Sequence, residues 1–292
     1  LCNNNIVAGA YTFTVTDANG CIANASGLIN DVTGPVISIT SQTNVSCFNG
    51  TNGAATTTIT GGVPSYTVSW SGGQTIQNPT NLNAGLHNVT VVDAAGCIGS
   101  ASVTITEPTQ LVSAIGSFTD VTCFGLSNGG ATILTNGGTI PYSYVWTPSA
   151  QTSSILANVP ANVYTGVVTD ANGCITSSSI TISQPQALIM ASSSFSNISC
   201  FGGSNGQIIT SVQGGSPGYT YSWTPVQSGN SGVLGGLVAG NYGLVVTDSK
   251  TCSINANFTI IEPSALTSSY VSLPAKCGVA NGSATITIGG GT

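Results

Sequence analysis

The single histidine of the chain, His87, is the first residue to question for chemistry, because a serine or cysteine nucleophile needs a base beside it. The segment Ala84-Gly85-Leu86-His87 recurs as Ala8-Gly9-Ala10-Tyr11, Ala161-Asn162-Val163-Tyr164 and Ala239-Gly240-Asn241-Tyr242. A histidine that stands where the other copies carry Tyr is read as structural. Paired carboxylates would suit glycoside hydrolysis, but the eight acidic residues are spread along the chain, mostly in turns. Asp17, Asp93, Asp170 and Asp248 each precede a cysteine by four residues. A calcium ion takes about 6–8 oxygens, usually with several carboxylates. Here each Asp stands alone, apart from Glu107, Gln184 or Glu262 further along. The preferred role of such an Asp is to accept backbone N–H bonds within its own turn, with calcium kept as the alternative. Zinc is not expected, since no C-x-x-C occurs and no repeated His is available. No catalytic, cofactor or metal residue is assigned, and the chain is read as no enzyme.

The elements that carry these residues repeat. Cys47-Phe48, Cys123-Phe124, Cys200-Phe201 and Cys277-Gly278 recur every 76 to 77 residues. The turn cysteines Cys21, Cys97, Cys174 and Cys252 recur every 76 to 78, and Trp70, Trp146 and Trp223 keep the same period. So do Gly-Gly pairs beginning at Gly61, Gly137 and Gly214. Four markers with one period define a tandem array. Within a unit the pattern has period two: Tyr66, Val68 and Trp70, then Tyr142, Tyr144 and Trp146, then Tyr219, Tyr221 and Trp223 alternate with polar residues. That is the signature of half-buried strands, with each Trp a core aromatic. Thr-, Val- and Ile-rich runs such as 54–60, 88–92 and 102–106 are further strands, separated by Gly and Asn turns.

The reading is an all-β chain of small immunoglobulin-like or PKD-like sandwiches of about 77 residues, six or seven strands each, forming an elongated rod. Tyr at the start of the penultimate strand suits a tyrosine corner. Pro35, Pro108, Pro185 and Pro263 mark the joints. The boundaries follow as the C-terminal part of a repeat over 1–34, repeats over 35–107, 108–184 and 185–262, and the N-terminal part of another over 263–292.

Composition bounds the partners. Only 3% of residues are charged, against about 25% in ordinary domains, and Lys250 and Lys276 are the only basic residues. A net charge of −6 excludes nucleic acid and anionic membrane surfaces. No apolar run reaches the ~20 residues of a membrane helix, so no membrane insertion is expected. Nine cysteines point to an oxidising, extracellular setting, and no export signal is present, so the chain reads as part of a longer exported protein.

The cysteines are read as structural, with Cys47, Cys97, Cys123, Cys174, Cys200 and Cys252 the disulfide candidates, while Cys2 has no counterpart in the other copies. Three pairings stay open. Bonds within repeats (Cys47–Cys97, Cys123–Cys174, Cys200–Cys252) are favoured, because ~77 residues make a marginal core. An immunoglobulin topology instead separates those cysteines and brings Cys47 to Cys174 and Cys123 to Cys252 across joints. A hairpin at each joint would pair Cys21–Cys47, Cys97–Cys123, Cys174–Cys200 and Cys252–Cys277.

The motif order resembles the SprB-type repeats of giant surface adhesins in gliding bacteria of the Bacteroidota. It rests on Cys123-Phe124-Gly125…Asn128-Gly129, Gly137-Gly138…Pro141-Tyr142-Ser143-Tyr144-Val145-Trp146 and Thr169-Asp170-Ala171-Asn172-Gly173-Cys174, closed by Thr-Ile-x-Glu/Gln-Pro. The resemblance implies type IX secretion, cell-surface display and a part in adhesion or gliding. The leading function is a structural stalk and multivalent contact array, whose partners are neighbouring repeats and surface polysaccharide or other copies of the chain. A self-assembling extracellular filament or sheath is the alternative, since strand edges lack the usual protecting charges. A glycan-binding module would need exposed aromatics, and most aromatics here fall at core positions.

Overall fold

A computed structural model describes residues 6–225 and 231–292. Cys2 lies outside the described residues. The described residues form antiparallel strands and no helix. In the order of the sequence these are β1 (Gly9–Thr16) and β2 (Ile22–Ile29), then β3 (Val36–Thr43), β4 (Ala54–Thr60), β5 (Thr67–Trp70), β6 (Gly85–Val92) and β7 (Ile98–Ile105). The next repeat holds β8 (Val112–Thr119), β9 (Gly129–Asn136), β10 (Ser143–Thr147), β11 (Ile155–Val159), β12 (Asn162–Thr169) and β13 (Ile175–Ile182). The third holds β14 (Ile189–Ser196), β15 (Gly206–Gln213), β16 (Thr220–Thr224), β17 (Val233–Leu237), β18 (Gly240–Thr247) and β19 (Ser253–Ile260), and β20 (Thr267–Leu273) and β21 (Ser283–Gly289) follow.

Each full repeat uses two sheets in the immunoglobulin manner. The first, second and (where present) fourth strands make one sheet, as in β11-β9-β8 and β14-β15-β17. The third strand and the last two make the other, as in β5-β6-β7, β10-β12-β13 and β16-β18-β19. Alternation in sequence becomes alternation in burial: β6 hides His87, Val89 and Val91, and β18 hides Tyr242, Leu244 and Val246. β-branched and aromatic side chains therefore fill the space between two pleated faces, while Thr, Ser and Asn cover the outside.

The chain divides into two compact units. One comprises Leu1–Ser113, Thr135–Tyr144 and Val167–Ser177, the other Ala114–Leu134, Val145–Gly166 and Ser178–Thr292, so the division runs through the middle repeat. The core of the first gathers Ile37, Val68, Trp70, Leu82, Val89, Val103 and Ile105. That of the second gathers Ile208, Trp223, Leu234, Tyr242, Val246, Phe258 and Ile260.

Strand number differs between repeats for a local reason. β11 and β17 pair with β9 and β15. Their counterpart in the first repeat runs through Pro79, which has no N–H to offer a ladder. Side-chain amides take over: Asn78 Oδ1 accepts the Thr57 N–H at 2.8 Å and Gln77 Nε2 donates to the Thr57 carbonyl at 2.9 Å, while the backbone keeps a Gly53–Leu82 bridge and an Ala55 N–H bond to the Pro79 carbonyl at 3.1 Å. The first repeat thus has five strands, one fewer than the six or seven expected, and the next two have six.

Candidate functional site

The recurring Asp is the hub of its repeat. Asp170 Oδ1 accepts the N–H groups of Asn172 and Cys174, each at 2.9 Å, closing the turn between β12 and β13. Its Oδ2 reaches across to the N–H of Thr139 at 2.8 Å, directly after the Gly-Gly pair. Asp93 does the same with Ala95, Cys97 and Val63, and Asp248 with Lys250, Cys252 and Ser216. All three carboxyls are buried. Burial alone would raise the pKa of Asp170 and Asp248, but the N–H groups of Thr139, Cys174 and Asn172, or of Ser216, Cys252 and Lys250, outweigh it and leave both below the ordinary carboxylate value. Asp93 is lowered chiefly by the Val63 N–H.

This hub explains the glycine pair. Gly138 and Gly215 have φ of 63° and 59°, and a Cβ on them would stand 2.7 and 2.6 Å from the Asp170 and Asp248 Oδ2 atoms. Their N–H groups hold the chain entering the repeat, donating to the carbonyls of Thr109 and Gln186 at 2.8 Å. One acid therefore ties together a hairpin turn, a glycine turn and a joint. The carboxylates face backbone donors, and no group of three or more His, Cys, Asp or Glu that could hold a metal occurs among the described residues.

A second constellation holds the Cys-Phe loop. The Glu or Gln that closes each repeat accepts an N–H from it: Glu107 from Asn49 at 2.6 Å, Gln184 from Gly125 at 2.8 Å, Glu262 from Gly202 at 2.7 Å. Asn52, Asn128 and Asn205 clamp the other side by accepting the Ser46, Thr122 and Ser199 N–H groups. The loop is thus held from two sides, by an Asn six residues from its partner and by a Glu or Gln 58 to 60 residues from its own.

The two constellations meet through disulfides. Cys47 bonds Cys174 and Cys123 bonds Cys252, with Cα atoms 5.7 Å apart in each. Each bond therefore joins the loop of one repeat to the Asp turn of the next. The favoured within-repeat register does not form: Cys97 and Cys200 carry free thiols, as do Cys21 and Cys277. The reason is topological. The loop between the first two strands and the turn between the last two lie at opposite ends of a sandwich, so one repeat cannot bring its own pair together. Asn172 adds a polar tie across the bonded joint, donating from Nδ2 to the Ser46 carbonyl at 3.0 Å.

His87 is buried and its Nε2 lies 2.9 Å from the Asn83 carbonyl, which can only accept, so Nε2 carries the proton. Tyr164 and Tyr242 donate from the same position to the carbonyls of Pro160 and Val238, four residues back, as a tyrosine corner does. His87 copies that bond but leaves Nδ1 buried without a partner. His87→Tyr is therefore expected to stabilise the first repeat by about 1 kcal/mol, read as a raised urea midpoint. A lowered midpoint would show that the cavity is shaped for imidazole. The indole N–H groups of Trp70, Trp146 and Trp223 donate to the carbonyls of Ile76, Ser153 and Ser231 at 2.9 to 3.1 Å, and all three rings are buried.

Phe48, Phe124 and Phe201 are 42%, 57% and 60% exposed, one aromatic ring per repeat beside the loop cysteine. Phe48 shares a shallow groove with Leu111 and Ile175, and Phe124 one with Leu126, Leu188 and Ile254. The sequence reading placed most aromatics in cores and missed these. The signal was available in the Cys-Phe dipeptide, which sits in a Gly-rich turn rather than at a strand parity.

A family model for the SprB repeat matches residues 39–75, 115–151 and 192–228. The three matches lie in tandem, 76 and 77 residues apart, as the sequence period does. Each match contains one Cys-Phe loop, one Gly-Gly pair and one Trp, and the Asp turn of the same repeat follows outside it. No curated protein matches the chain. Among solved structures, eight N-terminal Ig domains of Down Syndrome Cell Adhesion Molecule are 13% identical, with a TM-score of 0.37, over 87% of this chain and 39% of that one. Three N-terminal domains of the bacteriophage RB49 Highly Immunogenic Outer Capsid protein are 14% identical, with a TM-score of 0.37, over 78% and 99%. Protocadherin Gamma B7 cadherin domains 1–4 are 12% identical, with a TM-score of 0.28, over 83% and 80%.

Proposed function

We propose that the chain is a structural and adhesive repeat region of a large secreted cell-surface protein, with repeats at 35–107, 108–184 and 185–262, serving attachment or gliding. The observation that carries the reading is the exposed Phe set beside the joint cysteine in each SprB repeat. One such ring gives a weak apolar contact, and repetition at fixed spacing lets several engage one surface together. The disulfides at the joints favour display outside the cell, where they persist. No catalytic step is assigned, since the one imidazole is spent on a tyrosine-corner bond.

Beads coated with the 292-residue chain test this on glass and on polysaccharide surfaces. Attachment well above bare beads is expected, with a loss of about tenfold or more for the Phe48→Ser, Phe124→Ser, Phe201→Ser triple variant. No attachment at high coating density would sink the adhesive role. Full attachment by the triple variant would move the contact to another face.

A further inference from the structure

Asparagine followed directly by glycine occurs eight times in the chain. In this dipeptide the backbone nitrogen most easily reaches the side chain before it, because glycine has no Cβ to stand in the way. At seven of the eight sites the fold keeps the two groups occupied elsewhere. The side-chain oxygens of Asn52, Asn128 and Asn205 accept the N–H groups of Ser46, Thr122 and Ser199, and that of Asn281 accepts the Lys276 N–H. Asn172 is held through its NH2 group, which donates to the Ser46 carbonyl and to Thr139 Oγ1, each at 3.0 Å. At Asn19 and Asn49 it is the glycine N–H that is turned away, donating to the carbonyls of Asp17 and Cys47 at 3.0 and 2.9 Å.

Asn136 is the exception. Its Oδ1 accepts the N–H of the very next residue, Gly137, at 2.9 Å. The side-chain carbonyl carbon is one bond from that oxygen, so the Gly137 nitrogen already stands against the atom it would attack. Asn136 is exposed, at the last position of β9, and water reaches it freely. The turn itself does not call for asparagine. Gly61, Gly137 and Gly214 share φ values of 68°, 74° and 78°, yet they follow Thr60, Asn136 and Gln213. Thr has no side-chain carbonyl, and Gln would have to close a larger, slower-forming ring. Of the three equivalent turns, only the middle one carries the reactive pair.

We propose that Asn136 is a site of spontaneous deamidation that loosens the Gly-Gly turn after β9 as the chain ages. The Gly137 nitrogen loses its proton and attacks Asn136 Cγ. The Cγ–Nδ2 bond breaks, and ammonia leaves with that proton, giving a cyclic succinimide. Water then opens the ring at either carbonyl. Cleavage between Cγ and the ring nitrogen gives aspartate. Cleavage at the former peptide bond gives isoaspartate, whose main chain runs through the side-chain carbon and is longer by a methylene. One water is consumed and one ammonia released, and no oxidant or other reactant is needed. The turn has no room for the longer chain, since even a Cβ on Gly137 would run into the Gln110 carbonyl. The Gly138 N–H bond to the Thr109 carbonyl and the Thr139 N–H bond to Asp170 must then yield. The modification does not depend on the adhesive reading.

The test incubates the 292-residue chain at mildly alkaline pH, folded in buffer and unfolded in urea, beside Asn136→Gln. Chymotryptic peptides are then mapped by mass spectrometry that separates asparagine, aspartate and isoaspartate. In the folded chain, conversion at position 136 is expected to run at least about tenfold faster than at any other Asn-Gly site. It should also run faster there than at the same position in urea, and Asn136→Gln should show no favoured site. The isoaspartate form, isolated by chromatography, should exchange the Gly138 and Thr139 amide hydrogens at least about tenfold faster than the fresh chain. Equal rates at all folded Asn-Gly sites, or a rate at position 136 that rises on unfolding, would overturn the site. Unchanged amide exchange would overturn the loosening of the turn.

Discussion

Asp170→Asn is expected to lower stability by about 2–4 kcal/mol, because one carboxylate oxygen is replaced by an NH2 group that must face backbone donors. The amide oxygen can still serve two of the N–H groups of Thr139, Asn172 and Cys174, but not all three in the present geometry. At least one buried N–H loses its acceptor. Urea denaturation reads the loss, and a change under about 0.5 kcal/mol would show that the hub is decorative. The same group gives the chain an acid-sensitive joint. Because the pKa of Asp170 and Asp248 is lowered on folding, their contribution is complete above the unfolded value of about 4. It is lost as pH falls through the lower folded value. Stability should therefore hold from neutral pH to about 4 and decline below it, with a shallower decline in Asp170→Asn.

Replacing Cys47 and Cys174 together by Ser is the second large effect. The bond closes a separation of 127 residues, and the chain-entropy model gives about 4–5 kcal/mol for a loop of that size, with measured values running from about 2 to 5. A fall in Tm on the order of 10 °C is expected. Cys200→Ser, at a free thiol, should leave Tm within a degree or two. Equal effects of the two changes would mean that the joint bond does not constrain the unfolded chain.

The period, the strands and the buried Trp positions were legible because each is a local pattern: alternation needs only neighbours, and recurrence needs only counting. The disulfide register was not. Spacings of about 50 and about 127 residues look alike in a periodic chain, and only the placement of loop and turn at opposite ends of a sandwich decides between them. The stability of a single repeat argued for Cys47–Cys97, but strand topology prevails over that preference. The Asp–Gly-Gly and Glu–loop bonds were also missed, although their residues recur together in each repeat. Each was read alone, the Asp as a turn former and the glycines as a turn, whereas a shared period is the trace of a shared contact. The missing fourth strand of the first repeat turns on Pro79, whose effect depends on whether an edge is wanted there.

The two disulfides span overlapping stretches of sequence, since Cys123 lies between Cys47 and Cys174. Pulled from its ends, the chain cannot pay out as a single thread. The taut covalent route runs from the N-terminus to Cys47, across to Cys174, backwards along the backbone to Cys123, across to Cys252 and out to the C-terminus. Segments 47–123 and 174–252 hang slack in parallel, so even a fully unfolded molecule keeps much of its contour length in reserve. Reduction, rather than force, is what releases it.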